Sequence, residues 1–327
     1  MPDPAQPIRP QPDPAEPAAE PAGPAAPVAD EPRPTTLPGG EYIRERYDDG
    51  SRDLTRPPLP EPLSVPIYDN HTHLEIRDGD WFPYADALDA AERAGVAGVI
   101  QVGGDVESSE WSAALAAQDA RVLAAVAIHP NEAPGYADAG TLDAALDVID
   151  RLAQQPRVRA IGETGLDFFR TGDEGRAAQQ RSFEAHIEIA KRHGLALQIH
   201  DRDAHEAVVE TLLRVGAPEV TVFHCFSGDE HLAAIAAEHG WYLSFAGTVT
   251  FSSAKNLHRA LGVADRSRIL VETDAPFLTP TPYRGRPNSP YLTPTTVRAI
   301  AERLGVDADE LAATTVENTI RAYGRWS

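Results

Sequence analysis

From residue 65 onward the chain alternates between two textures, and this alternation limits its fold more than any other feature. Eight short apolar runs occur: "VPIYDNHTH", "VAGVIQVGG", "RVLAAVAIHP", "VRAIGETGLD", "LALQIHDRD", "VTVFHCFSG", "WYLSFAGT" and "RILVETDAP". Between them lie stretches such as "YADALDAAERAG", "LDAALDVIDRLAQQ", "QQRSFEAHIEIAKRHG" and "DEHLAAIAAEHG". Their apolar residues fall at the three-to-four spacing of a helix, and several end in a glycine suited to close one. Near-continuous apolar runs alternating with helices imply a parallel sheet covered on both faces. Eight such units over about 260 residues match an α/β fold of the (β/α)₈ TIM-barrel type. A doubly wound open sheet is the alternative, but it usually carries a glycine-rich phosphate turn after its first strand, and none occurs here.

The first sixty residues are different. They hold more than half of the 29 prolines, together with many alanines and acidic residues. Proline removes backbone donors, and few large apolar side chains are available for burial, so residues 1–60 are expected to form a disordered tail and residues 61–327 the barrel. A partner-binding P-x-x-P segment is the functional alternative for the tail.

Bulk properties exclude several classes. The 327 residues contain no apolar run long enough to span a membrane, and the start "MPDPAQPIRPQPDP" has neither a basic nor an apolar signal region. A single cysteine, Cys225, rules out an internal disulfide and fits a cytoplasmic location. Alternation along the run places Cys225 on the face opposite His224, which reads as packing. The formal net charge of −21 argues against loose attraction to nucleic acid or anionic membrane. It leaves room for an anionic substrate, because bound cations reverse the local sign of a pocket.

The chemistry sits where the runs end. In a barrel the C-terminal ends of the strands converge on one rim. The first run ends in His71 and His73, the third in His129, the fourth in Glu163 followed by Asp167, and the fifth in His200; the sixth carries His224 and the eighth ends in Asp274. Each alone is explicable as a loop or capping residue. Together, His71, His73, Glu163, His200, His224 and Asp274 have the composition of a two-metal site, which needs several protein donors and one that bridges. A carboxylate bridges and a neutral imidazole does not, so Glu163 is the natural bridge. Asp274 can hold a metal and take the proton of an attacking water, making Glu163 and Asp274 the expected catalytic carboxylates. Mixed nitrogen and oxygen donors suit two divalent ions drawn from Mg, Mn or Zn. The two lysines, Lys191 and Lys255, fall in a helical stretch and after the seventh run, where neither can bridge.

At this point "DNHTHLE", "IGETGLDFF", "IHDRDA", "FHCFSG" and "VETDAPFLTP" resemble, in order and spacing, the motifs of the TatD family of metal-dependent deoxyribonucleases. The resemblance covers roughly residues 65–325. It implies that His71, His73 and Glu163 hold one ion, that Glu163, His200 and His224 hold the other, and that Asp274 is the acidic catalytic position. "YRGRPNSP" resembles the family's loop after the last strand, so Arg284, Arg286 and Asn288, with His129 and Arg202, are expected on the substrate side. Departures occur at Glu75, Asn131 and Pro287, none of them a proposed ligand. The resemblance implies hydrolysis of DNA phosphodiester bonds from a 3′ end. Some relatives look like D-aminoacyl-tRNA deacylases, so the alternative is hydrolysis of a tRNA-linked ester, or of another ester or amide, at the same site. A degenerate barrel that merely binds a metal or a partner is weakened by the six competent donors. No stable protein partner is evident.

Overall fold

The computed structural model describes residues 43–46, 50–80 and 82–326. The eight apolar runs become the strands β1 (Ile67–Thr72), β2 (Val96–Val102), β3 (Val122–Val126), β4 (Val158–Asp167), β5 (Ala196–Arg202), β6 (Thr221–Phe223), β7 (Tyr242–Phe245) and β8 (Ile269–Val271). They pair in parallel in chain order, as expected for a barrel. The helices are α1 (Tyr84–Arg93), α2 (Val106–Gln118), α3 (Ala133–Asp138), α4 (Leu142–Leu152), α5 (Asp173–His193), α6 (His205–Val215), α7 (Glu230–His239), α8 (Lys255–Val263), α9 (Thr293–Leu304) and α10 (Ala308–Tyr323). Two of the expected glycine stops, Gly194 and Gly240, adopt the left-handed conformation that ends α5 and α7, and Gly305 ends α9 in the same way. Among the described residues no helix is long and apolar enough to cross a membrane.

Alternation along each strand sorts the core into two layers. Val99, Val122, Ile161, Leu197, Phe223 and Val271 face the helices. Ile100, Leu123, Ala160, Val222, Tyr242 and Leu270 fill the barrel interior. The N-terminal ends of the strands are plugged by Trp326, which stacks on Tyr68 with ring centroids 4.2 Å apart and donates to the Arg121 carbonyl at 3.0 Å. Only glycine fits at Gly98, because a β-carbon there would lie 2.4 Å from the Trp326 ring nitrogen.

The circle closes between β8 and β1 largely without a strand ladder. Asn70 donates to the Val271 carbonyl at 2.7 Å, and Asp69 accepts from the Thr273 amide at 2.8 Å and its hydroxyl at 2.5 Å. The Asp274 amide donates to the His71 carbonyl at 2.9 Å, and the His73 amide to the Ala275 carbonyl at 2.8 Å. Closing the barrel therefore sets the heights of His71, His73 and Asp274 relative to one another.

The expectation of a disordered segment through residue 60 needs correction. Residues 1–42 lie outside the described residues, but the chain before β1 packs on the barrel. Arg44–Glu45 pairs in parallel with Ile76–Arg77. Arg46 and Arg52 both grip Asp78, at 3.1 Å and 2.8 Å, and Asp78 is only 3% exposed. Tyr291 donates to the Pro57 carbonyl at 2.7 Å, and Arg56 stacks over Phe82. Proline-rich composition hid this, because the segment is held by arginines and backbone carbonyls rather than by apolar burial. A buried carboxylate stripped of its partners destabilises by roughly 3–5 kcal/mol. A chain beginning at Pro62 is thus expected to melt several degrees below one beginning at Ile43, with each kcal/mol moving a domain of this size by ~2–4 °C. Equal melting temperatures by calorimetry would show residues 43–61 to be dispensable.

Candidate metal centre

The site is built around one buried carboxylate, Glu163, on the bulged C-terminal half of β4. Its strand must approach β5 closely, and Gly162 permits this: a β-carbon there would lie 2.5 Å from that of Gln198. Five imidazoles then surround Glu163. Oε1 faces His73 Nε2 at 3.6 Å and His129 Nε2 at 3.7 Å. Oε2 faces His224 Nε2 at 2.7 Å, His200 Nδ1 at 3.5 Å and His71 Nε2 at 3.9 Å. Asp274, turned inward by the left-handed backbone at φ 53°, brings Oδ1 to 3.6 Å from His73 Nε2 and 3.8 Å from His71 Nε2.

Four of the five imidazoles are held by a hydrogen bond at the other nitrogen, and His224 Nδ1 faces a carboxylate. His71 Nδ1 meets Gln198 Oε1 at 3.2 Å, and Gln198 is fixed in that sense because its amide nitrogen donates to the Asn70 carbonyl and the Tyr323 hydroxyl. His73 Nδ1 lies 3.0 Å from the Val102 carbonyl. His200 Nε2 lies 3.1 Å from Asp167 Oδ2, and His224 Nδ1 is 3.4 Å from Glu272 Oε1. His129 Nδ1 accepts from the Asn131 amide at 3.0 Å. Carbonyl and carboxylate partners require a proton on the outer nitrogen, so the neutral rings of His71, His73 and His200 present bare lone pairs to the centre.

That arrangement tests whether cations fit. His71 Nε2 and His73 Nε2 are 3.2 Å apart. Two bare lone pairs at that distance repel unless positive charge lies between them. The electrostatics carry the same demand. Burial, reinforced by positive charge on His224, holds the pKa of His71 well below its usual value. Burial also disfavours charge on His73, yet Asp274, Glu163 and Glu75 outweigh it and push its pKa up to about 9. His224 rises likewise against burial, through Glu163 and Glu272. Glu163 is kept well below the carboxylate range although burial opposes this, because His129 and His224 face it. A pocket that draws protons onto buried imidazoles is one that wants positive charge, and divalent cations compete with protons for the same nitrogens.

The donors fall into three compact groups: His71–His73–Glu163, His129–Glu163–His200 and His71–His224–Glu272. These groups take in five of the six residues expected around the metals, and Asp274 joins them through its approach to His71 and His73. His129 stands beside Glu163: its Nδ1 accepts from the Asn131 amide, so its neutral ring directs the Nε2 proton toward Glu163 Oε1 at 3.7 Å. Arg286 and Asn288 depart from expectation. Asn288 is 3% exposed and donates its amide to the Thr273 and Phe277 carbonyls, bracing the turn that carries Asp274. Arg286 donates to the Thr55 and Arg56 carbonyls, because this loop has to hold the segment before β1. Arg284 is exposed above Phe251, and Arg202 lies above Phe169. Cys225 does not follow strand alternation: β6 stops at Phe223, Cys225 turns at φ 41°, and its amide donates to Glu272 at 2.6 Å.

Sequence reasoning missed the residues that orient the donors. Gln198 and Glu272 each precede a site residue, His200 and Asp274, by two positions in an apolar run, and a lone polar residue there is the signal that could have found them. Asp167 was visible, but its task, clamping His200 and accepting from Asn131 at 3.0 Å, was not.

A rim of imidazoles and carboxylates at the C-terminal mouth of a parallel barrel defines a metal-dependent hydrolase. The family model described as TatD related DNase matches residues 68–324, and the chain belongs to the TatD family. It is 42% identical over 265 residues to an uncharacterized metal-dependent hydrolase TatD of Mycobacterium tuberculosis, covering 79% of this chain and 98% of that protein. It is 33% identical to an uncharacterized metal-dependent hydrolase, YabD, of Bacillus subtilis, with 79% and 98% covered. The crystal structure of YJJV, a TatD homolog from Escherichia coli, superposes with a TM-score of 0.71 at 26% identity, covering 80% of this chain and 99% of that one.

Replacing the partner of a metal-binding imidazole typically weakens metal affinity ~10–100-fold. Asp167→Asn is expected to show that loss for Mn²⁺ or Zn²⁺ by titration calorimetry while leaving the circular dichroism spectrum intact. Wild-type affinity in this variant would remove Asp167 from the support of the centre.

Proposed function

We propose that the protein is a deoxyribonuclease that hydrolyses DNA phosphodiester bonds from a 3′ end, using two divalent cations. The observation that carries this reading is the division of Glu163, whose two oxygens face different sets of imidazoles. A carboxylate placed in this way can serve two cations at once. His71 and His73 would hold one cation with Glu163, and His200 and His224 the other, with His129 alongside. Magnesium, manganese and zinc all suit this mixture of donors. Bound divalent cations supply Lewis-acid polarisation of the phosphoryl oxygen and acidify water near neutral pH.

The chain's own groups do the rest. Asp274 has the more exposed carboxylate beside Glu163, and it lies near both His71 and His73. It is the group placed to accept the proton of the attacking water. Gln198, Asp167 and Glu272 keep the imidazoles aimed. Arg202 and Arg284 offer guanidinium groups outside the ring of donors, locally offsetting a strongly acidic chain. The family's description as a DNase supports phosphodiester over other esters.

Saturated protein is expected to hold close to two ions per chain by elemental analysis, and His71→Ala to lose one together with most activity. Full ion content and activity in that variant would sink the assignment. Asp274→Asn is expected to retain its fold and at least one ion and to bind DNA normally, while kcat falls ~10²–10⁴-fold, the usual loss for a positioned base. Near-wild-type kcat would leave Asp274 a structural role only. End-labelled single strands, duplex DNA and D-aminoacyl-tRNA, assayed side by side, separate the nuclease from an ester hydrolase and give the polarity.

A further inference from the structure

The turn after β4, residues 168–172, presents an exposed aromatic ring that folding does not explain. Phe168 packs against the core, but its neighbour Phe169 is 44% exposed. Among the described residues the other exposed large hydrophobics, Leu59, Leu213 and Val263, are aliphatic. The turn that carries Phe169 is firmly pinned. Asp167 Oδ1 accepts from the amides of Phe169 at 3.1 Å and Arg170 at 2.8 Å, and the Phe168 amide donates to the Arg202 carbonyl at 2.9 Å. The Thr171 hydroxyl donates to Asn131 at 3.2 Å.

Cations gather at the same place. The Arg202 guanidinium lies 4.0 Å from the Phe169 ring centroid, and Arg176 lies 4.2 Å from that of Phe168. Arg170 is close enough to Arg202 that, after burial, the positive charge of Arg202 is the next influence lowering its pKa, with Asp167 opposing. Asp173 neutralises Arg176 at 3.0 Å, so Arg170 and Arg202 are the pair beside the exposed ring. Both supports are tied directly to the centre: Asp167 clamps His200, and Arg202 follows His200 by two residues on β5. A rigid, exposed aromatic ring flanked by guanidinium groups has the chemistry of a single-strand platform, in which a base stacks on the ring and phosphates meet the cations.

We propose that Phe169, with Arg202 and Arg170, forms a stacking platform that seats the 3′-terminal nucleobase of a single DNA strand beside the metal centre. The proposal rests on the deoxyribonuclease reading above. Phe169 and Arg202 are substrate-positioning residues here, so their loss acts on KM rather than on kcat.

The test uses the full chain loaded with Mn²⁺ and two single-stranded oligonucleotides, one normal and one abasic at its 3′-terminal nucleotide. Wild-type protein is expected to show the lower KM for the normal strand. Phe169→Ala is expected to raise that KM about tenfold, as loss of one stacked base implies, with kcat and ion content kept. The preference over the abasic strand should disappear in that variant and return in Phe169→Trp. Arg202→Ala is expected to raise KM for both strands and to flatten its salt dependence, because fewer counterions are released. Turnover of DNA by the wild type, with unchanged KM and unchanged discrimination in Phe169→Ala, overturns the platform and leaves the nuclease reading standing. Failure of the metal-loaded wild type to cleave either strand overturns both.

Discussion

A buried carboxylate among apolar strands is unstable unless positive charge or hydrogen-bond donors answer it. Glu163 is such a group, and much of the upper half of the barrel is arranged in response. Five imidazoles converge on it from β1, β5 and the segments following β3 and β6. Glycine before it lets the two central strands close up. Behind the imidazoles stands a further layer: Gln198, Asp167 and the Val102 carbonyl each fix one ring nitrogen, and the Glu272 carboxylate lies 3.4 Å from His224 Nδ1. Removing Glu163 would leave these imidazoles facing one another without a common anion.

The barrel and its ring of donors were legible because both obey simple periodicities. Continuous apolar runs of strand length mark strands covered on two sides, and the residue that breaks each run marks the rim. His71, His73, Glu163, His200, His224 and Asp274 all announce themselves in this way. What escaped detection depends on interactions that have no period. His129 sits three residues past the end of β3, and only the chain path of that loop turns it toward Glu163. Cys225 follows a strand that ends one residue before His224, so alternation no longer governs it. Asn288 and Arg286 look like substrate contacts because "YRGRPNSP" resembles the family's loop after the last strand. In the structure Asn288 donates to carbonyls of the Asp274 turn, and Arg286 gives two of its hydrogen bonds to carbonyls of the segment before β1.

That segment illustrates a general difficulty. Composition reports whether a stretch can build a core, but not whether it can be held by arginine on a foreign carboxylate. Asp78 receives both Arg46 and Arg52, and Arg46 also donates to the Pro276 carbonyl at 3.1 Å and lies over Phe277. Phe277 in turn packs edge-on to His73. Through these contacts a stretch that precedes the family region adjoins the wall of the metal centre.

The seam between β8 and β1 bears on how the protein is made. Asp69, Asn70 and His71 accept or donate hydrogen bonds to residues 271–274, some two hundred positions later in the chain. A chain emerging from the ribosome therefore carries its early histidines long before it carries the partners that fix them. Until the eighth strand is made, His71 and His73 lack the backbone partners at Asp274 and Ala275 that set their heights. Completion of the His71–His73–Glu163 group and its contacts with Asp274 therefore waits on the last strand, whereas His129, Glu163 and His200 come from neighbouring strands in the middle of the chain. Placing His71 and Asp274 on opposite sides of the seam thus ties the geometry of the centre to closure of the barrel.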